Sequence, residues 1–261
     1  MLKSLYTSAT GMQAQQTMVD MIANNIANVN TAGFKKSQAS FEDLLYVNLQ
    51  APGGNETSQI PTGTQIGSGT RLNATTKVYS PGTLDNTERP LDLAIAGNGF
   101  FSVSMPDGNL AYTRDGSFHV NRDGKLVTGQ GHVLIPEITV PEDTLQISVD
   151  PEGRVLAQSA SSPDTASEIG QIQLHRFINP SGMLSVGGNL LRPTDASGAP
   201  VTGNPGLQGL GMLKQGYIEK SNVKIVNELV NLIVAQRAYE VNSRAIQASD
   251  QMLSTATNII R

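Results

Sequence analysis

The C-terminal stretch from Ser221 to Arg261 constrains the fold of this chain more than any other part of the sequence. Apolar and aromatic residues recur there at every seventh position: Ile225, Leu232, Tyr239, Ile246, Leu253 and Ile260. A second row, four residues further on, begins apolar and then becomes polar: Leu229, Gln236, Ser243, Asp250 and Thr257. No Pro or Gly follows Gly216, so the spacing predicts one helix on the order of 60 Å long, at about 1.5 Å per residue. A helix with such a seam needs a partner helix.

The N-terminus offers that partner, because it has the same spacing. One apolar row consists of Leu5, Met12, Val19 and Ile26. The row beside it is mostly small or polar: Leu2, Ala9, Gln16, Ala23 and Asn30. Polar residues in a seam weaken a coiled coil but fix its register and its choice of partner. We therefore expect a first helix that ends near Asn30, before Thr31-Ala32-Gly33, and pairs with the C-terminal helix.

The segments between the two ends have different patterns. Ser40, with Asp43 three residues later, is typical of a helix start and predicts a second short helix through Leu49. Residues 50–70 are rich in Gly, Pro, Thr and Ser and predict an extended linker. Alternation with a period of two follows, together with Asp-Gly pairs that favour type I′ hairpin turns. These pairs are Asp107-Gly108, Asp115-Gly116 and Asp123-Gly124.

The predicted fold class is therefore α+β, with terminal helices paired as a coiled coil and an antiparallel β-rich domain inserted between them. The predicted divisions are an N-terminal helical segment at 1–49, which pairs with 212–261, and an extended linker at 50–70. A central β-rich domain follows at 71–211, and a coiled-coil helix at 212–261.

Composition and charge exclude several classes of protein. The formal net charge is −4, which gives no indication of a nucleic-acid partner. No apolar run approaches the roughly 20 residues of a membrane span. The absence of cysteine excludes disulfides and thiol chemistry. We expect no cleaved signal peptide, because Lys3 is followed by Tyr6 and Thr7 where an apolar core would begin.

The candidate chemical motifs are all better explained as turns or strands. Gly97-Asn98-Gly99 lacks the third glycine and the helix of a dinucleotide loop. Asn121 to Gly124 lacks the first Asp and the closing Glu of a calcium loop. His119, His132 and His175 do not have the spacing of a zinc site. We therefore predict no catalytic, cofactor-binding or metal-binding residue, no cofactor and no enzymatic activity.

Several longer motifs resemble the axial proteins of the bacterial flagellum, the rod and hook family. The motif residues Asn24, Asn25, Asn28, Thr31, Gly33 and Phe34 lie in Ala23–Lys35. Further matching stretches are Phe41–Tyr46, Gly99–Phe101, Tyr112–Phe118, Gln215–Tyr217, Glu228–Asn231 and Gln236–Glu240. The chain length and the stretch Pro61–Arg71 are most similar to distal rod members of this family.

The resemblance implies a structural subunit of the distal rod, a helical homopolymer that transmits torque from motor to hook for motility. The implied partners are other copies of the chain, neighbouring rod and hook proteins, and the surrounding P and L ring proteins. It also implies passage through the type III export apparatus without a cleaved signal, to a basal-body rod that crosses the periplasm. We expect no nucleic-acid partner and no membrane span.

Some alternatives remain open at this point. The asparagines at positions 24, 25, 28 and 30 are interpreted either as helix-end caps or as amides that bond neighbouring subunits. The chain could be a proximal rod or hook component instead of a distal one. A secreted peptidoglycan-acting protein is a third alternative, and it lacks a candidate catalytic acid.

Overall fold

The computed structural model describes residues 2–50, 53–55, 58–60, 63–160 and 166–259. Two long helices lie at the ends of this part of the chain, α1 at Leu2–Ala27 and α2 at Ile225–Ile259. Strands make up most of the ordered structure between them, so the fold class is α+β as predicted. The chain divides into two compact units. The first combines residues 1–27, 37–77 and 224–261 as far as they are described, and the second combines 28–36 and 78–223.

Both helices form where the heptad spacing predicts them. Helix α1 ends at Ala27, slightly before Asn30, and turns lead to Gly33, whose φ is +67°. Helix α2 begins at Ile225, and residues 212–219 are mainly strands. The prediction of a helix throughout 212–261 is wrong for its first part. Ile260 lies outside the described residues.

A long two-stranded ribbon in the first unit replaces the predicted second helix. The ribbon consists of β1 (Ser37–Asp43), β2 (Tyr46–Gln50), β3 (Gly53–Asn55), β4 (Ser58–Ile60), β5 (Thr64–Gly67) and β6 (Thr70–Lys77). Strand β1 pairs antiparallel with β6, β2 with β5 and β3 with β4. The predicted helical segment 1–49 is therefore wrong beyond α1. The stretch 50–70 contains paired strands, and Pro61 lies outside the described residues.

The second unit is built from short antiparallel strands. They are β7 (Leu84–Asn86), β8 (Leu93–Ala96), β9 (Phe101–Ser104), β10 (Leu110–Thr113), β11 (Phe118–Val120), β12 (Leu126–Thr128), β13 (Val133–Ile135), β14 (Thr144–Val149), β15 (Arg154–Ser159), β16 (Ala166–Gln171), β17 (Leu174–Arg176), β18 (Leu184–Gly187), β19 (Leu190–Arg192), β20 (Val201–Gly203), β21 (Met212–Gln215) and β22 (Tyr217–Glu219). The predicted central domain 71–211 differs from this unit at both ends, because β6 pairs in the ribbon, whereas β21 pairs with β8 and β22 with β7.

The core of the second unit is formed by the inward-facing residues of these strands. Its largest sheet has seven strands in the order β11-β12-β13-β9-β10-β19-β18. Phe101 and Phe118 are completely buried, and their rings meet edge to face with centroids 5.1 Å apart. Aromatic pairs in this geometry stabilise a core beyond the area that they bury. The unit therefore has an apolar core of its own.

Two of the three Asp-Gly pairs form turns between paired strands. Gly108 and Gly124 have φ values of +74° and +77° and connect β9 to β10 and β11 to β12. Asp107 and Asp123 do not have positive φ among the described residues, so the type I′ interpretation is wrong. Gly116 accepts a hydrogen bond from the Leu93 N–H at 2.9 Å. It lies between β10 and β11, which belong to the same sheet but do not pair with each other, so a hairpin at Asp115-Gly116 is also wrong.

Candidate assembly site

Helices α1 and α2 pack side by side and run antiparallel. The hydroxyls of Ser4 and Ser249 are 3.2 Å apart, and either one can donate. A Cβ atom on Gly11 would lie 3.0 Å from the side-chain nitrogen of Asn242. Gly11 lies seven residues after Ser4 on α1, and Asn242 lies seven residues before Ser249 on α2. The two helices therefore run in opposite directions. Because Gly11 has no side chain, the two backbones can approach closely at this point.

The buried face of α2 differs from the predicted seam in its second row. Leu232, Ile246 and Leu253 of the first row are partly buried. The buried residues beside this row are Glu228, Ala235 and Ser249. Each lies four residues before a position of the first row, whereas the predicted second row lies four residues after it. Within a single chain, Leu229 is 45% exposed, and Ile225 and Tyr239 are similarly exposed. The roles of these three residues in assembly remain predictions.

The predicted row of α1 is likewise only partly buried. Leu5, Met12, Val19 and Ile26 have intermediate exposure. The buried residues of α1 are Ala14, Ile22 and Asn25. Helix α1 also contacts the ribbon, where the Thr70 N–H donates to the Thr10 hydroxyl at 3.4 Å. The helix therefore has two neighbours inside its own unit, α2 and the ribbon, and the heptad spacing predicted only α2.

An apolar stripe on α2 faces away from its buried row. Val226, Val230, Ile233 and Val241 are each more than half exposed, and Val226 is 73% exposed. Their spacing of three, four and eight residues places them on one side of a helix with 3.6 residues per turn. The buried positions Glu228 and Ala235 lie on the opposite side. Arg237 lies on the same side between Ile233 and Val241, so the stripe is interrupted. Exposed apolar residues that share one helix face make it a candidate protein–protein contact.

The asparagine cluster has specific partners inside the chain. The Asn25 amide donates to the Ser37 carbonyl and accepts from the Ser37 N–H, both at 2.9 Å. Asn25 is buried, and both polar atoms of its amide are bonded to the chain's own ribbon. The Asn28 side-chain oxygen accepts from the Thr31 hydroxyl at 3.1 Å. Asn24 is exposed.

The rest of this motif belongs to a segment that we call the strap, residues 28–36. The Gly33 N–H donates to the Glu219 carbonyl at 2.7 Å, and the Lys36 N–H donates to the Asn222 side chain at 2.8 Å. The Asn189 amide donates to the Ala32 carbonyl at 3.1 Å. A Cβ on Gly33 would lie 2.7 Å from the backbone nitrogen of Asp115, so any side chain there would force a backbone segment to move. Phe34, the next residue, is partly buried.

A buried ionic cluster consists of Lys35, Arg114 and Glu219, and it joins two of the sequence motifs, Ala23–Lys35 and Tyr112–Phe118, to a glutamate outside them. The Lys35 ammonium donates to Glu219 Oε1 at 2.6 Å, and Arg114 Nε donates to Oε2 at 2.8 Å. The Gly82 N–H also donates to Oε1, at 2.8 Å. The Glu219 side chain is 1% exposed and that of Lys35 is 3% exposed. We call these three residues the Glu219 cluster.

The charges in the Glu219 cluster depend on each other. Burial disfavours the charged carboxylate, but the Arg114 guanidinium and the Lys35 ammonium outweigh it and hold the pKa of Glu219 below its ordinary value. Removing one partner of a buried ion pair typically costs about 3–5 kcal/mol, because the other charge is left uncompensated. Glu219 was not predicted from the sequence. The available signal was that Lys35 and Arg114 both lie inside family motifs.

The described residues offer little that suggests catalysis. Within them, no group of three or more His, Cys, Asp or Glu side chains could hold a metal ion. His119, His132 and His175 lie on or beside different strands. No helix in the described part of the chain is long and apolar enough to cross a membrane. The notable features of the site are therefore contacts between segments of the chain and an exposed apolar helix face.

Three family profiles match the chain in the order of its elements. Residues 5–35 match the flagella basal body rod protein family, and residues 94–157 match the flagellar hook protein FlgE/F/G D1 domain. Residues 214–259 match the flagellar basal body rod FlgEFG protein C-terminal family. Together with a long helix at each end and strands between them, these matches define an axial protein of the flagellar rod and hook class.

Full-length relatives narrow the assignment further. Flagellar basal-body rod protein FlgG from Borreliella burgdorferi is 47% identical, and the alignment covers 100% of both chains. FlgG from Buchnera aphidicola subsp. Schizaphis graminum is 46% identical over 99% of this chain and 100% of that protein. FlgG from Bacillus subtilis is 40% identical over 100% of both. The chain belongs to the FlgG family of flagellar basal-body rod proteins, the distal rod family that the sequence motifs indicated.

Proposed function

We propose that this chain is a non-enzymatic structural subunit that polymerises into the flagellar distal rod and transmits torque from the motor to the hook. The observation that carries the proposal is the exposed apolar stripe of α2, Val226, Val230, Ile233 and Val241, on the side of the helix away from its buried row. A helix that packs on α1 with one side and leaves a second apolar side free has a place for a neighbouring subunit.

The geometry of such a contact favours an open polymer. The stripe on α2 differs from the face that packs on α1, and in this proposal a neighbour meets it with a different surface. Contacts between unlike surfaces whose rotation does not close produce helical filaments. Paired helices make contacts along their whole length, which suits a shaft that must carry torque with few soft joints. In this proposal α1 and α2 pack as a coiled coil in the assembled rod.

The remaining partners follow from membership of the rod family. We propose that the rod formed by this chain lies in the basal body and crosses the periplasm. There it meets neighbouring rod and hook proteins and passes through the P and L rings. The subunits reach this position through the type III export apparatus, without a cleaved signal peptide. Relatives named as basal-body rod proteins over their full length support this placement.

A single substitution on the stripe tests the proposal. Ile233 is more than half exposed, so Ile233→Asp leaves the isolated chain folded, whereas a charge there opposes burial against a neighbour. The matched control is Ile233→Leu, which keeps the apolar surface. In cells whose only copy is the variant, Ile233→Asp is expected to abolish swimming and to leave basal bodies without a complete rod, while Ile233→Leu swims. Normal rods with Ile233→Asp would contradict a packing role for the stripe.

A further inference from the structure

We propose that the Glu219 cluster is a conditional latch, in which Lys35 closes the strap only when Glu219 is in place to neutralise it. The latch acts within a single chain as it folds and is separate from the contact that the stripe on α2 makes with a neighbour. It is carried by the charge count of the cluster, two cations to one carboxylate, together with the nearly complete burial of all three side chains.

The two cations would oppose each other without Glu219. Arg114 is fixed from another side, because its Nη2 donates to the Gly97 carbonyl at 2.6 Å. Burial lowers the pKa of the Lys35 ammonium, Glu219 acts against this lowering, and the Arg114 charge adds to it. Lys35 has one other acceptor, the Ser80 carbonyl at 2.8 Å, and a carbonyl carries no net charge. Closure of the strap onto Arg114 is therefore unfavourable until the carboxylate arrives.

The backbone of the strap is also bonded to the segment that contains Glu219, residues 219–222. The Gly33 N–H donates to the Glu219 carbonyl, and the Lys36 N–H donates to the Asn222 side chain. The Asn222 amide also donates to the Val78 carbonyl at 2.8 Å. Residues 219–222 thus hold the strap by charge and by hydrogen bonds. A chain that emerges N-terminus first would keep its strap open until these residues follow.

A buried ionic group restricts where the strap can dock more strongly than an apolar group would. Well-packed apolar residues of similar volume often stabilise a protein as well as a buried ion pair does. They would, however, pack onto any apolar surface that became available during folding. A lysine that can be buried only beside one carboxylate restricts the strap to a single docking site, and this restriction is the function that we assign to the cluster.

Hydrogen exchange of the strap in the full-length protein tests the latch. Local opening raises the exchange of the amides that it releases and leaves the core strands protected. In Glu219→Gln, a peptide covering residues 28–36 is expected to exchange at least about tenfold faster, while β9 and β10 are unchanged. Lys220→Gln is the matched control, because it breaks the exposed Lys220–Asp85 ion pair one residue away. Its strap is expected to exchange at the wild-type rate.

The double variant Lys35→Met with Glu219→Gln separates the latch from a general loss of packing. With the lysine removed, the strap no longer needs a counter-charge, so the double variant is expected to exchange more slowly than Glu219→Gln alone. If Glu219→Gln fails to fold, the latch requires that the double variant recover a native near-ultraviolet circular dichroism spectrum. Equal or faster exchange in the double variant, or its failure to fold, would overturn the latch. These measurements use isolated protein, so their outcome does not depend on the rod assignment.

Discussion

Asn25 and Ser37 are joined by two hydrogen bonds, in which the side-chain amide of Asn25 pairs with the backbone of Ser37 as another β-strand would. Both distances are 2.9 Å. The side chain of a helix residue thus satisfies the backbone of the first residue of β1. The relationship explains why an asparagine is needed at this position, because its amide provides one donor and one acceptor. It also fixes the position of the ribbon against α1.

The first prediction concerns this pair. Asn25→Ala removes both hydrogen bonds and leaves the Ser37 N–H and carbonyl without these partners, so we expect a loss of about 1–3 kcal/mol in the free energy of unfolding. Urea unfolding followed by circular dichroism measures it. Gln16→Ala on the exposed side of α1 is the control, with an expected change within about 0.5 kcal/mol. Equal stability of the two variants would show that the pair is dispensable.

A second prediction compares two glycines that both follow an aspartate. A Cβ on Gly116 would lie 1.7 Å from the Leu93 carbonyl oxygen, whereas a Cβ on Gly108 would meet nothing within 4 Å. Gly116→Ala is therefore expected to cost about 3 kcal/mol, because a backbone segment must move. Gly108→Ala is expected to cost only about 1 kcal/mol, which reflects its positive φ. Thermal unfolding of the two variants gives the comparison, and the reverse order would contradict the packing described at Gly116.

A third prediction is a pH dependence that originates at His175. Burial lowers the pKa of its imidazole below the ordinary value of 6.5. The unfolded chain then takes up a proton near pH 6.5 while the folded chain does not, so this contribution to stability is present above pH 6.5 and is lost as the pH falls. Nε2 is buried without a hydrogen-bond partner among the described residues, so a proton added there has no acceptor.

The variant His175→Gln measures this contribution. The side chain it replaces contacts Thr202, whose hydroxyl lies 3.0 Å from Nδ1. The variant is expected to be less stable than the wild type at pH 7.5, and the difference in the free energy of unfolding should shrink by pH 5.5. Urea unfolding at the two pH values supplies both numbers. A difference that is constant with pH would show that His175 does not titrate in this range.

The sequence predicted the helices because heptad spacing is a local signal that each segment carries by itself. The ribbon was missed because its pairing is not local. Ser40 and Asp43 have the spacing of a helix start, yet both lie in β1, where Ser40 pairs with Ala74 and Asp43 with Thr70. Residues in β1 alone do not show that a partner strand follows about thirty positions later. Tertiary pairing therefore overrode the local propensity.

The Glu219 cluster could not be predicted for the same reason. Glu219 lies 184 residues from Lys35 and 105 residues from Arg114 in the sequence. A lysine, an arginine and a glutamate this far apart have no spacing that relates them. The family motifs marked the neighbourhoods of Lys35 and Arg114 but gave no reason to join them. They meet only in the folded chain, where Glu219 lies at the end of β22, which pairs with β7.

A fourth prediction tests the antiparallel packing of α1 and α2. The chain has no cysteine, so Ser4→Cys with Ser249→Cys introduces one isolated pair. The hydroxyls they replace are 3.2 Å apart, which suits disulfide geometry. Mild oxidation is expected to join the pair within one chain and to raise the stability by about 2–4 kcal/mol.

The control for this pair is Ser8→Cys with Ser254→Cys. In the observed packing Ser8 lies opposite position 245, so Ser254 is nine residues away from it along α2. The control pair is expected to remain reduced, because nine residues of helix correspond to about 13 Å along the axis. Mobility on a non-reducing gel distinguishes the two outcomes. Efficient linkage of the control pair, or none in the first pair, would show that the helices pack in another register.

An in-frame deletion in the organism that carries this chain would show whether the chain builds the distal rod. Basal bodies isolated from the deletion strain would be imaged by electron microscopy. We expect a truncated rod without hook or filament, restored by the wild-type gene. A complete, hooked basal body in the deletion strain would show that this chain does not build the distal rod.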